Sequence, residues 1–454
     1  MSMQWTQLLS RKRLGSTAEP QDTTARTDFQ RDFDRIVFSS AFRRMQDKTQ
    51  VFPLSKVDYV RTRLTHSLES SSIGRSLGTL VGEQVIGRHG LHQFEAADFG
   101  NICAAACLAH DIGNPPFGHS GEDAIRHWAS SAEYGARRVE ALRGSQREDF
   151  LAFEGNAQGF RIVTRLQNPD NRGGLQLTSA TLAAFTKYPR ESCLGGNRFD
   201  GVSAKKQGFT AADRESFEQV AANVGLIPRE QPYAMWCRHP LAFLVEAADD
   251  ISYRVIDIED GYRLGYFSYE EVTSAFLDLV PDRERQLERL NGIREKKDRV
   301  EFLRAKVINE IISQTLQCFM DNEQAILDGD FDVPLLDELP CRAQADKLIE
   351  MAVREIYCAP EVVSIQAAGF QVVSDLLERF IQVIDDVAEH GESASPRSRM
   401  LIRLIPEQFI GIDRVPSQDP YLRLLLLTDF VSGMTDSYAV SLYKKVTGIS
   451  LPGG

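Results

Sequence analysis

The 454-residue chain is 43% hydrophobic, enough for one large core or two or three ordinary ones, which excludes a disordered or fibrous protein. Acidic side chains outnumber basic ones 64 to 52, and the net charge of -12 argues against wholesale nucleic-acid coating while leaving room for a local cationic cavity. Seven cysteines without a Cys-x-x-Cys pair fit reduced thiols, and the absence of a signal-like start or a long uncharged apolar run predicts a soluble, cytoplasmic protein without membrane contact.

Residues 1–26 read as an extended N-terminal lead-in, polar and unpatterned from Leu14 to Arg26. Helical pattern starts at Thr27 or Asp28, where Asp28 can cap, and carries Phe29, Phe33, Ile36, Val37 and Phe38 towards Met45. Gln50 to Pro53 and Val57 to Val60 read as a short hairpin or loop. A long helix follows from Arg63 to Val85, and its small residues, Ser70, Ser71, Ser72, Gly74 and Gly78, predict close packing. Ile102 to Ala109 is apolar and alanine-rich, a buried helix with His110 and Asp111 in its last turn. Between about 189 and 232 the chain turns Gly-rich and polar, with Gly195-Gly196 and Lys205-Lys206, and reads as a loop excursion. Leu241 to Asp257 is again helical, and from Tyr269 onward amphipathic helices alternate with proline and acidic turns. The predicted class is all-α with additional C-terminal helices and small β-hairpin excursions. The segments are a lead-in (1–26), a helical core (27–268, with the excursion at about 189–232) and a C-terminal helical region packed on it (269–454).

Burying the imidazole of His110 beside the carboxylate of Asp111 costs several kcal/mol unless something compensates, and a divalent cation between them is the simplest compensation. The pair therefore reads as half of a metal site. On the helix from Leu241, Glu246, Asp249, Tyr253 and Asp257 fall on one side at spacings of three, four and four, a polar stripe set to face an internal cavity. Asp250 and Arg254 are expected to form a local ion pair. His66 shares a helical face with Arg63. Taken alone, such a histidine is more often a core or surface residue than a ligand. A rival reading joins Cys103, Cys107 and His110 into a zinc site, but cysteines on an alanine-rich buried helix behave as small hydrophobes.

The sequence resembles the HD-domain phosphohydrolases, whose signature is a separate His, a His-Asp pair and a distant Asp. It is most similar to the deoxyguanosine triphosphate triphosphohydrolases and their dGTPase-like relatives. The resemblance rests on Arg43 to Pro53, Arg63-Leu-Thr-His66-Ser67, His110 to His119, Phe153 to Gln158, Lys187-Tyr188-Pro189, Glu246 to Tyr253 and the terminal Asp429 to Asp436. It covers the chain from about Thr27 onward. The resemblance implies an HD-type catalytic bundle within 27–268 and makes His66, His110, Asp111 and Asp249 the metal ligands. Two imidazoles and two carboxylates suit Mn, Mg or Fe, with Ni, Co or Zn as crystal substitutes. His119 and Glu122 are the implied catalytic pair, the carboxylate orienting the imidazole and raising its basicity while His119 relays a proton to or from the attacking water or the leaving sugar oxygen. Arg63, Lys187, Tyr188, Tyr253 and one or both of Lys205 and Lys206 are implied around a triphosphate. Gln50 and Asp257 are implied at the deoxyribose 3′-hydroxyl, and Asn114 joins the substrate contacts.

The implied reaction is metal-dependent hydrolysis of a deoxynucleoside triphosphate, dGTP by preference, to the deoxynucleoside and tripolyphosphate. The absence of a Walker motif argues against a P-loop enzyme. Two alternatives stand beside it: an HD phosphohydrolase acting on nucleoside monophosphates or cyclic nucleotides, and a nucleotide-sensing or single-strand-binding regulator. The resemblance further implies a homo-oligomer, a hexamer among the options, and activation by a second dNTP or by single-stranded DNA.

Overall fold

The computed structural model describes residues 2–17, 26–51, 60–192, 201–229 and 233–450. Its centre is a pair of helices, α1 (Arg63–His89) and α2 (Ala96–Ala109), packed along one another. Small residues make this contact possible: a Cβ placed on Gly78 would sit 2.6 Å from the Phe99 carbonyl oxygen. Thr62 caps α1 by accepting from the Thr65 amide, and Gly90 ends it in the left-handed conformation. Around this pair lie α3 (His119–Ser131), α4 (Pro240–Arg263) and α5 (Lys296–Asp328), followed by α6 (Pro360–His390), α7 (Pro420–Ser432) and α8 (Asp436–Thr447). Helix α4 packs on α1, α2 and α5, while α6 packs on α3, α7 and α8. The fold is all-α, as expected. Among the described residues the β content is limited to isolated bridges, such as Arg190 with Met235 and Pro228 with Trp236, so no hairpin strands form there. Most of the hairpin expected after Gln50 lies outside the described residues, as do Cys193 and Gly195-Gly196.

Several expectations need correction. Within residues 2–17 the chain is not an extended lead-in: Trp5–Leu8 is helical, and Met3, Trp5, Leu8, Leu9 and Leu14 are buried in the main core, while 18–25 lie outside the described residues. Trp5 Nε1 donates to Glu323 Oε1 of α5 at 2.8 Å, so apolar anchors spaced along a polar segment pin it to the bundle. The first helical stretch breaks at Phe38-Ser39, because Ser39 caps a new turn, Ser40–Arg44; the cap of Asp28–Val37 is Thr27, which exchanges bonds with Gln30. The excursion at 189–232 contains a helix, Arg214–Val224, whose Phe217 and Val220 are buried. Hydrophobic packing is continuous across 268/269. One cluster runs from the N-terminus to Ile356, and a second joins α3 to residues 372–442. Leu424, Leu425 and Leu427 belong to that second core, whereas Leu422 is partly exposed. Among the described residues no single helix is long and apolar enough to cross a membrane.

Candidate active site

His110 and Asp111 stand where α2 ends, His66 one turn into α1, and Asp249 in the middle of α4. The packing of these three helices brings the four side chains together. His66 Nε2 lies 3.1 Å and His110 Nε2 3.2 Å from the same oxygen of Asp249, Oδ1, and the two rings meet edge to face at 5.3 Å. Ligand atoms of His66, His110 and Asp111 all fall within 4.8 Å of one another. The Nδ1–H of His110 donates to the Cys107 carbonyl at 2.6 Å, which leaves its Nε2 lone pair facing the carboxylates. A lone pair set 3.2 Å from a carboxylate oxygen calls for a cation between them. The nitrogen and oxygen donors present fit a divalent metal. Cys107 serves only through its carbonyl, and both Cys103 and Cys107 are fully buried thiols pushed up by burial, so the rival zinc set does not form.

The carboxylates are held from outside. Asp111 accepts from Arg63 Nη1 at 2.6 Å and from Asn114 Nδ2, and Asp249 Oδ2 accepts from Lys187 Nζ at 2.6 Å. Burial alone would raise Asp111, but Arg63 and the two imidazoles outweigh it and hold it near 2. Asp249 likewise is pulled well below the carboxylate range against its burial, by His110 and Lys187.

These residues line a cavity of about 580 Å³ together with Gln50, His119, Glu122, Tyr188, Lys206, Tyr253 and Asp257. His66 sits behind it, 1% exposed. Of the expected substrate residues Lys205 alone stays away: it is exposed, while Lys206 turns inward and pairs with Glu154 at 3.1 Å. Among the described residues Gln50 Oε1 and Arg63 Nε are buried without a protein partner, polar atoms left for something in the cavity. Asp257 is raised to about 6 by burial and accepts from the Tyr357 hydroxyl at 2.5 Å.

Three readings of local pairs change. Glu122 accepts from the Gly155 amide at 2.7 Å and faces Arg126 at 3.5 Å, and among the described residues no hydrogen bond joins it to His119. His119 is lowered rather than raised, by burial and by the cations Arg63 and Lys206, so it is a neutral imidazole near pH 7. Glu246 leaves the polar stripe to bind Arg238 through both oxygens, at 2.6 and 3.0 Å, and Arg238 in turn donates to the Lys187 carbonyl. Arg254 pairs with Asp346 at 3.0 Å instead of with Asp250.

Sequence reasoning missed one wall. Tyr357, Val362 and Gln366, from a π-helical turn and the start of α6, close the cavity, with Val51 and Asn156 also lining it. The terminal motif is structural here: Asp429 binds Arg161 and Gln158, and Asp436 accepts from Thr49 and from the Phe117 amide at 2.9 Å, tying the loop after His110 to α8.

The HD domain family matches residues 63–172. Along nearly its whole length the chain is similar to a deoxyguanosinetriphosphate triphosphohydrolase-like protein of Synechocystis sp., 45% identical over 99% of this chain and 100% of the relative. A Pseudomonas aeruginosa protein of the same name is 38% identical over 99% of this chain and 100% of its own length. The deoxyguanosinetriphosphate triphosphohydrolase of Klebsiella pneumoniae is 31% identical, covering 93% of this chain and 94% of its own.

Proposed function

The chain belongs to the deoxyguanosinetriphosphate triphosphohydrolase family, and from that premise we propose that it hydrolyses deoxynucleoside triphosphates, dGTP foremost, to the deoxynucleoside and tripolyphosphate. The observation that carries this reading is the meeting of His110, Asp111 and Asp249, backed by His66, with Arg63, Lys187 and Lys206 at one cavity. On a protein of net negative charge, such a cluster of cations is what offsets the charge of a polyphosphate.

His66, His110, Asp111 and Asp249 would hold a divalent ion, Mn, Mg or Fe by donor type, which when bound polarises a phosphoryl oxygen and acidifies a water. Arg63, Lys187 and Lys206 gather the phosphates and stabilise the charge that develops on their oxygens. Tyr188 and Tyr253 flank them. The buried Gln50 Oε1 accepts a 3′-hydroxyl beside Asp257, and Asn114 holds Asp111 at the edge of the cavity. In the reaction the Pα–O5′ bond breaks, the water oxygen joins phosphorus, and the 5′ oxygen gains a proton. Neutral His119 is the group suited to move that proton.

The test is a panel of the four dNTPs with Mn(II) or Mg(II), the phosphate products resolved by anion exchange. Tripolyphosphate as the product upholds the reading. Orthophosphate or a monophosphate would return it to the nucleotide-phosphohydrolase alternative, and no turnover, with a second dNTP or single-stranded DNA present, to the regulator.

A homo-oligomer, in particular a hexamer, is consistent with the exposed Met400, Leu404, Ile412 and Val415 near the C-terminus. The free cysteines among the described residues suit the reducing cytoplasm, where the dNTP pool lies.

A further inference from the structure

Both groups that fix the Asp111 carboxylate are anchored on one residue, Lys48. The Arg63 backbone N–H donates to the Lys48 carbonyl at 3.1 Å, and Lys48 Nζ donates to the Asn114 carbonyl at 2.5 Å. The same ammonium donates to the carbonyl of Ser432, the last residue of α7, at 3.0 Å. Lys48 is 3% exposed and forms no ion pair among the described residues. A buried lysine without a carboxylate is costly, and a helix end that needs only a cation is served equally well by a surface lysine. Its next neighbour adds to the clasp. The Thr49 amide and hydroxyl donate to Asp436 Oδ2 at 3.0 and 2.5 Å, while Asp436 Oδ1 accepts from the Phe117 amide at 2.9 Å.

Residues 48–49 thus pin both ends of the 114–117 loop to the 432–436 segment. We propose that Lys48 is a positioning residue for the metal site. It holds Arg63 through its carbonyl and Asn114 through its ammonium, so that Asp111 presents its oxygens in one orientation. It also makes that orientation depend on the C-terminal helices. This deepens the reading above and rests on Asp111 being a metal ligand.

The test titrates Mn(II) into the metal-free full-length chain, followed by electron paramagnetic resonance, alongside steady-state dGTP kinetics and circular dichroism, for wild type and Lys48→Met. Outer partners of metal ligands are worth roughly 10- to 100-fold in affinity or activity. The folded variant is expected to lose Mn(II) affinity and kcat in that range while its KM for dGTP changes far less. Should Lys48→Met fail to fold, Lys48→Gln, which keeps a donor without the charge, is held to the same criterion. A folded variant that binds Mn(II) and turns over like wild type, differing only in melting temperature, would reduce Lys48 to a helix cap and overturn the proposal. Wild-type protein that binds no Mn(II) would overturn the metal-site reading itself, and the Lys48 role with it.

Discussion

Lys187 Nζ lies 2.6 Å from Asp249 Oδ2, the oxygen that the two imidazoles leave untouched. One carboxylate therefore divides its work, with Oδ1 turned to the two imidazoles of the proposed metal site and Oδ2 holding Lys187, the proposed phosphate-binding cation, in place. Asp249→Ala removes a ligand and frees Lys187 at once. Dual loss predicts more than the roughly 10- to 100-fold effect of an outer partner, with dGTP turnover falling below detection and Mn(II) binding lost while circular dichroism shows a folded chain. Retained turnover would break the assignment.

Lys206 and Lys205 are adjacent in sequence and opposite in placement. Lys206 lines the cavity and is held by Glu154, whereas Lys205 is exposed. Hydrogen bonds to charged groups contribute about 1.5–3 kcal/mol, so Lys206→Ala is expected to raise the KM for dGTP by about tenfold or more. Lys205→Ala should leave it where it was. Parallel steady-state kinetics on the two variants decide between them.

How much of this site could be read beforehand varied with the type of signal. His110 and Asp111 were legible as half of a metal site, and the stripe holding Asp249 as cavity-facing, because both contradict the apolar helices that carry them, whereas His66 and the choice of Asp249 within the stripe came only through the family resemblance. The choice between Lys205 and Lys206 was not legible, since it depends on which way a loop faces. Tyr357, from the turn before α6, and Val362 and Gln366, from the start of α6, reach the cavity more than a hundred residues past Asp249, and nothing in an amphipathic pattern marks which positions near a helix start face a cavity. The N-terminal segment misled for a related reason: a few apolar anchors suffice to bury a short strap, and they produce no period to detect.

Gly155 begins the helical segment Gly155–Arg161 against the loop after His110, where a Cβ would lie 2.1 Å from Asn114 Oδ1 and 2.9 Å from Glu122 Oε1. Both are side-chain atoms able to yield, and the backbone Asn114 Cα at 3.2 Å need give by only a few tenths of an ångström, so Gly155→Ala should fold. Relief of the clash moves Asn114 off Asp111 and Glu122 off the Gly155 amide. We expect kcat to drop roughly tenfold, the low end of the range for outer partners, with a melting temperature close to wild type. A variant with unchanged kcat would show that Asn114 does not orient Asp111.

The Arg238–Glu246 pair is buried, its guanidinium also stacked over the Tyr188 ring at 5.4 Å. Removing one partner of a buried pair strands the other charge and costs about 3–5 kcal/mol, while replacing both with apolar groups is often close to neutral. Arg238→Met should therefore lower unfolding free energy by that amount in urea denaturation. Arg238→Met combined with Glu246→Leu should recover much of it. A double variant as unstable as the single one would mean that the loss comes from the Lys187 carbonyl and Tyr188 contacts instead.

His239 caps α4 and ties it to the N-terminal segment, its Nδ1 accepting from the Leu241 amide at 3.2 Å and its Nε2–H donating to the Leu8 carbonyl at 3.1 Å. The first bond requires the neutral ring, since protonation would remove the Nδ1 lone pair, whereas the second survives in either state. Complete burial holds its pKa down to about 4, from 6.5. Because the folded value is the lower one, the folded chain binds fewer protons than the unfolded chain between those limits. The stabilisation is thus complete above about pH 6.5 and is lost as pH falls towards 4, by up to about 3 kcal/mol. His239→Asn keeps a capping side chain but cannot titrate. Urea unfolding of both proteins from pH 7 to 4 should show the wild-type advantage shrinking over that window. An advantage independent of pH would mean that the histidine acts only as a cap and that its burial carries no proton linkage.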